Sequence, residues 1–196
     1  MPLFTISEAR TAGRALASRK MKTADRIVRD LHESYTSTKS FDIFLSHSFS
    51  DAELILGVWE LLTDRGFSVY VDWLIDPILD RENVTPATAA KLRERMKSCS
   101  CLVYASSENT TTSKWMPWEL GYFDGFRPKK VAVLPLVYAT TEDYRGQEYL
   151  GLYPYISIGE IKDQPSKGQV LWVNESLSVY VNFSSWLNSD SQPRHH

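Results

Sequence analysis

The residues of this chain best placed to do chemistry lie in SKWMPWELGYFDG, residues 113–125. Pro117 suits the first turn of a helix, where backbone amides lack intrahelical partners. Ser113, or a residue just after it, is placed to cap that turn. Glu119 then falls early in the helix, one turn after Trp115, and residues i and i+4 share a helical face. An indole surface beside a fixed carboxylate suits a ligand that carries both a ring and sugar hydroxyls. The same stretch also reads as packing, with Trp115, Trp118, Leu120, Tyr122 and Phe123 in a core and Glu119 favoured by the helix dipole. The stretch alone leaves both readings open.

The elements that must position this pair are legible upstream and downstream. FDIFLS (41–46) reads as a short apolar strand, followed by the polar cluster HSFSD (47–51) and a helix over 52–65 closed by Gly66. FSVYVDW (67–73) reads as a second strand, LIDPILDRENVTPAT as a long loop, and TAAKLRERMKS as a helix. SCLVYAS (100–106) and VAVLPLVYA (131–139) read as further strands, with a fifth expected at 155–158 and a short addition at 171–173. Residues 176–188 read as a closing helix. Apolar strands alternating with helices imply a parallel sheet covered on both faces. The expectation is an α/β, flavodoxin-like, five-stranded sheet in the order 2-1-3-4-5. In such sheets ligands bind beyond the carboxyl ends of the strands, at the switch point between strands 1 and 3. The loop from Ser46 to Asp51 and the loop from Ser106 to Ser113 therefore converge on one crevice, which the loop after strand 2 flanks.

Residues 6–34 read as one or two weakly apolar helices, and YTSTKS (35–40) as a polar linker. The expected organisation is a helical extension and linker over 1–40 and a domain over 41–190. The extension either packs on the domain or serves self-association, and the sequence does not choose.

Composition narrows the functional classes. The chain has 196 residues, 43% hydrophobic, with a formal net charge of −2. That balance gives no electrostatic case for nucleic acid. The longest apolar runs are too short to span a bilayer, and no signal-peptide core is present. Cys99 and Cys101 are poorly spaced for a disulfide and have no companion ligands, so buried thiols and a cytoplasmic protein without a metal are expected. No G-x-G-x-x-G follows a strand, no P-loop is present, and no G-x-S-x-G elbow appears. The acidic cluster of a response regulator is missing after the first strand.

FDIFLSHSFSD, then GFSVYVDW, then SKWMPWEL resemble the Toll/interleukin-1 receptor (TIR) domain family, in particular its bacterial members, over residues 41–137. The resemblance implies the same flavodoxin-like fold. It also implies cleavage of NAD⁺ at the nicotinamide–ribose bond, with NAD⁺ as substrate rather than cofactor and the catalytic glutamate at Glu119. Such a cleavage has an oxocarbenium-like transition state. Nicotinamide leaves neutral from a cationic ring, so an ionised carboxylate near the ribose is needed more than a proton donor. Around Glu119, Trp115 is placed to stack on a ring. Ser46 offers a hydroxyl or amide to ribose or phosphate, and Phe49 a wall. His47 is a candidate base for a reaction that needs little base. Asp72 and Trp73 are expected to end strand 2 at the same mouth, Arg81 to meet the pyrophosphate, and Asp51 to cap the next helix. For these residues the packing, turn-forming or solvated alternatives stay open.

For bacterial members the resemblance implies an anti-phage role of the Thoeris type, in which a messenger made from NAD⁺ acts on a separate effector protein. Self-association through TIR faces is expected with it. Whether the product arises by hydrolysis, cyclisation or conjugation is left open. The alternatives are a non-catalytic scaffold that binds other TIR domains and a nucleotide-binding module without turnover.

Overall fold

The computed structural model describes residues 2–19, 40–76, 85–140, 144, 148–162, 164 and 168–196. The chain opens on β1 (Phe4–Thr5) and α1 (Ile6–Arg19). A reciprocal cap starts α1: Glu8 Oε2 accepts from the Thr5 amide at 2.9 Å and its hydroxyl at 2.7 Å, while Thr5 Oγ1 accepts from the Glu8 amide at 3.1 Å. β2 (Phe41–Ser46) leads through a 3₁₀ turn (Phe49–Asp51) into α2 (Ala52–Thr63). β3 (Val69–Tyr70) is followed at once by the one-turn α3 (Asp72–Ile75), then α4 (Pro86–Lys97) and β4 (Cys99–Ser106). A second 3₁₀ turn (Glu108–Thr112) launches α5 (Trp115–Phe126), and β5 (Val131–Val137) follows. A third 3₁₀ turn (Glu148–Leu152) precedes β6 (Tyr155–Glu160). β7 (Gln169–Asn174), β8 (Val179–Asn182), α6 (Phe183–Asn188) and β9 (Arg194–His195) complete the chain.

The sheet runs β3-β2-β4-β5-β6-β7-β8-β9, with β1 paired to β5. Its first five members are parallel neighbours, in the order expected for a flavodoxin-like domain. Residues 131–136 of β5 are all buried, which in a parallel sheet requires cover on both faces. Asp42, the one charge in β2, is tolerated because its carboxylate accepts from the Ser68 amide and hydroxyl, each at 2.8 Å.

Beyond β6 the sheet continues with antiparallel pairs β6–β7, β7–β8 and β8–β9. The closing helix expected over 176–188 is therefore half strand. Val179-Tyr180-Val181 is aromatic and β-branched, and it pairs with β7 while Tyr180 meets Trp172 edge-on at 5.4 Å. Asn182 Oδ1 then accepts from the amides of Ser184 and Ser185, which starts α6 only at Phe183.

The N-terminal segment joins the same sheet. β1 lies parallel to the end of β5, with Phe4 opposite Leu136, and the Ile158 amide donates to the Pro2 carbonyl at 2.9 Å. α1 packs on α2 at very close range. A Cβ at position 57 would stand 1.7 Å from the Ala9 carbonyl oxygen, so this contact requires glycine. Residues 6–19 thus pack on the domain, while the expected continuation of the helix and most of the linker (20–39) lie outside the described residues.

Candidate active site

β2 and β4 are adjacent, with Ser46 opposite Tyr104, so both strands deliver their carboxyl ends to one edge of the sheet. α5 begins just beyond the β4 end. Lys114 is the N-cap and makes no side-chain cap bond, while Ser113 Oγ, one position earlier, accepts from the Met116 amide at 3.3 Å, and Pro117 falls in the first turn. One face of α5 sends Met116, Glu119, Leu120 and Phe123 inward. Glu119 is wholly buried, as is Ser46, and Ser46 Oγ donates to Glu119 Oε2 at 2.6 Å. That length is typical of a hydroxyl bonded to an ionised carboxylate. The helix N-terminus favours the same charge. Trp115 lies one turn earlier on that side of the helix, half-buried, with its ring edge-on to Trp118 at 5.4 Å. Trp118 in turn stacks on Tyr122 at 5.8 Å beneath the Arg93 guanidinium. The aromatic run therefore divides: Trp118 and Tyr122 serve a helix–helix surface, and Trp115, one turn before Glu119, packs edge-on against Trp118.

His47 is buried next to this pair and both ring nitrogens are engaged. Nδ1 lies 2.9 Å from the Leu45 carbonyl oxygen, which can only accept, so Nδ1 carries the proton. Nε2 accepts from the Trp73 indole N–H at 2.9 Å. The imidazole is thus held as one neutral tautomer, and service as a base would require breaking the Trp73 contact. Asp72 and Trp73 begin α3 rather than end a strand, because the strand stops at Tyr70 and the chain turns helical at Asp72. Asp72 Oδ1 lies 3.5 Å from His47 Nε2. His47 therefore ties the loop after β2 to the loop after β3. Phe49 is 65% exposed on the first 3₁₀ turn. Arg81 lies outside the described residues.

Asp51 departs from the cap expected of it. It occupies the N-cap position of α2, but its side chain makes no cap bond. Instead its carboxylate accepts from Ser107 Oγ at 2.5 Å and Asn109 Nδ2 at 2.6 Å, across to the loop after β4. Ser107 also caps the 3₁₀ turn there, in a reciprocal pair with Thr110. Sequence reasoning missed Ser107 and Asn109, whose only signal was a polar loop. It also missed Tyr104, which is buried beside Ser46. Burial first, then a hydrogen bond to Tyr149 and the Glu119 charge, push the Tyr104 phenol above its ordinary value, so it stays protonated.

The two cysteines are buried free thiols. Burial pushes Cys99 up to about 12 and Cys101 well above its ordinary value, which removes both as nucleophiles at neutral pH. Among the described residues no helix is long and apolar enough to cross a membrane.

No family model matches the chain. Of curated proteins, a Bacillus cereus protein named "Probable 3' cyclic ADP-D-ribose synthase ThsB'" is 48% identical over 170 residues, covering 86% of this chain and 86% of that protein. A Cytobacillus dafuensis protein provisionally named cyclic ADP-D-ribose synthase TIR2 is 29% identical over 103 residues, covering 52% of this chain and 27% of that one.

Proposed function

The chain belongs to the Thoeris-type bacterial TIR proteins, and on that premise we propose that it cleaves NAD⁺ at the nicotinamide–ribose bond and closes the ADP-ribosyl product into a cyclic signalling nucleotide in anti-phage defence. The observation that carries this reading is the buried Glu119 with Ser46 Oγ on its Oε2 at 2.6 Å. Burying a carboxylate costs several kcal/mol unless hydrogen bonds compensate it. A scaffold that only binds other TIR domains has no use for that charge, whereas an oxocarbenium-like transition state does.

The C1–N bond breaks with its electron pair leaving on nicotinamide, and positive charge spreads over C1 and the ring oxygen of the ribose. Glu119 faces that charge as a carboxylate, and Ser46 holds the carboxylate in place. A hydroxyl of the adenosine ribose then forms the new O–C1 bond and releases one proton. The balance is NAD⁺ to nicotinamide, cyclic ADP-ribose and a proton. The Bacillus cereus relative is named for a 3′ cyclic product, and the 3′ hydroxyl is the nucleophile proposed here. Trp115 is assigned to stacking on a ring of the substrate, and Arg81 to its pyrophosphate. His47, Asp72 and Trp73 hold the neighbouring loop, and Phe49 stands at the mouth. The proposal includes action in the cytoplasm, self-association through TIR faces and a separate effector that responds to the product.

The test is NAD⁺ turnover followed by chromatography and mass spectrometry, with wild type beside Glu119→Gln. Protein concentration is raised and lysate from phage-infected cells is added, to supply assembly and trigger. Nicotinamide from wild type alone, with a co-product lighter than ADP-ribose by one water, is the expected result. ADP-ribose as sole co-product overturns cyclisation. Equal turnover by both proteins removes Glu119 from the mechanism, and no nicotinamide under any condition moves the reading to a scaffold.

A further inference from the structure

Ser46 ends β2 and Glu119 lies in α5, and their 2.6 Å contact requires those two elements to hold a fixed relation. Ser46 is the last residue of β2, and five positions later Asp51 closes the following 3₁₀ turn. Glu119 lies in the second turn of α5, which is launched from the 3₁₀ turn that Ser107 caps. The two turns meet through one side chain. Asp51, 9% exposed, accepts from Ser107 Oγ with one oxygen and from Asn109 Nδ2 with the other. These are contacts 56 and 58 positions apart in sequence.

The geometry is unusual for an aspartate at this place. An N-cap aspartate ordinarily accepts from the amides of its own helix. Asp51 occupies that position and turns its carboxylate away from α2. A charged acceptor with two short bonds from one neighbouring turn is a strong and directional connection. It joins the element carrying Ser46 to the element carrying Glu119.

We propose that Asp51 is a positioning residue, whose clasp on Ser107 and Asn109 sets the alignment of Ser46 with the Glu119 carboxylate and thereby the rate of the bond-breaking step. The inference rests on the NAD⁺-cleaving function proposed above. Asp51 does not touch substrate. Its removal acts through a displacement of Glu119, and a shift of about 1 Å in a catalytic group can cost on the order of 100-fold in rate.

Turnover is measured per folded molecule for Asp51→Ala, Asp51→Asn, the pair Ser107→Ala with Asn109→Ala, and the triple variant that adds Asp51→Ala to that pair. Asp51→Ala is expected to lower kcat roughly 10- to 100-fold with a smaller change in KM. The Ser107/Asn109 pair is expected to lower kcat to a similar degree, and the triple variant no further, because all three remove the same connection. Asp51→Asn is expected to recover to within several-fold of wild type, since its amide can accept from Asn109 and donate to Ser107. A merely structural role would move the melting temperature without moving kcat per folded molecule, and that result overturns the proposal. So does Asp51→Asn as poor as Asp51→Ala, which would place the charge itself in the chemistry. Additive losses in the triple variant overturn it too. Wild type and Asp51→Ala turning over alike overturns only this inference, whereas no turnover by wild type overturns the functional reading and this inference with it.

Discussion

Glu119 and Asn174 are both wholly buried polar side chains, yet their partners come from different places, and Asn174 bonds through Nδ2 alone, its Oδ1 having no partner among the described residues. Asn174 ends β7, and its Nδ2 lies 3.0 Å from the Tyr155 carbonyl, 2.9 Å from Ser157 Oγ and 3.1 Å from the Trp172 carbonyl. Those partners all belong to β6 and β7, the strands that the amide staples together. Glu119 is a carboxyl group rather than an amide, it sits on a helix, and the hydroxyl it receives comes from 73 positions away. A neutral amide consumed by its own sheet is part of what holds the antiparallel extension in register. A buried carboxylate held by a distant hydroxyl is costly to the fold, and under the proposed function its use lies in the reaction.

Substitutions can break this contrast directly. Glu119→Gln keeps the shape and removes the charge, and turnover is expected to fall by about 10²- to 10³-fold, ~3–4 kcal/mol of transition-state stabilisation. The melting temperature should hold or rise, because a buried charge has been relieved; a large drop would make Glu119 structural after all. Ser46→Ala removes one hydrogen bond to a charged group, and ~1.5–3 kcal/mol of barrier is the expected loss, read as kcat. Unchanged kcat with a lower melting temperature would place Ser46 with Asn174 on the structural side.

Asn174→Ala should show the reverse pattern. It strips Ser157 Oγ and two strand carbonyls of a donor, and about 1–3 kcal/mol of stability should be lost. Turnover per folded molecule should stay near wild type. If turnover falls in parallel, the antiparallel extension is coupled to the site and the contrast fails.

Asp76 lies between the two extremes and gives the smallest effect. Burial on its own would raise its carboxyl, but the Arg95 guanidinium, bonded at 2.7 and 2.9 Å, and the Tyr70 hydroxyl hold it below its ordinary value. A carboxyl whose folded-state pKa is depressed adds stability above its unfolded-state value. That stability is lost as pH falls through the folded-state value, hence below about pH 4. Denaturation midpoints for wild type and Arg95→Ala should therefore differ near neutral pH and converge as the pH falls below the ordinary carboxylate range. A gap that persists in acid would mean that Arg95 acts through packing on Tyr70, whose ring its guanidinium overlies at 5.6 Å.

The parallel half of the fold and its site were legible because their signals are local. Apolar runs such as VAVLPLV can be buried on both faces only in a covered parallel sheet. Ser113, Pro117 and the Trp115–Glu119 spacing fix where α5 starts and which way the carboxylate points. The antiparallel end was less legible because a run such as SVYVNFSSW suits a strand and a helix alike. Only pairing with β7 decides that Val179–Asn182 is strand.

Sequence by itself determined the order of the five parallel strands β3-β2-β4-β5-β6 and the face of α5 that carries Glu119, since strand and helix periodicity and cap chemistry act over a few residues. Tertiary structure alone decided who meets whom across long separations. It put Ser46 on Glu119, it engaged both nitrogens of His47 through Leu45 and Trp73, and it turned Asp51 from its own helix to Ser107 and Asn109. A side chain that can cap locally or bond at a distance carries the same letter in both cases. The choice is made by which loops the sheet brings within hydrogen-bond reach.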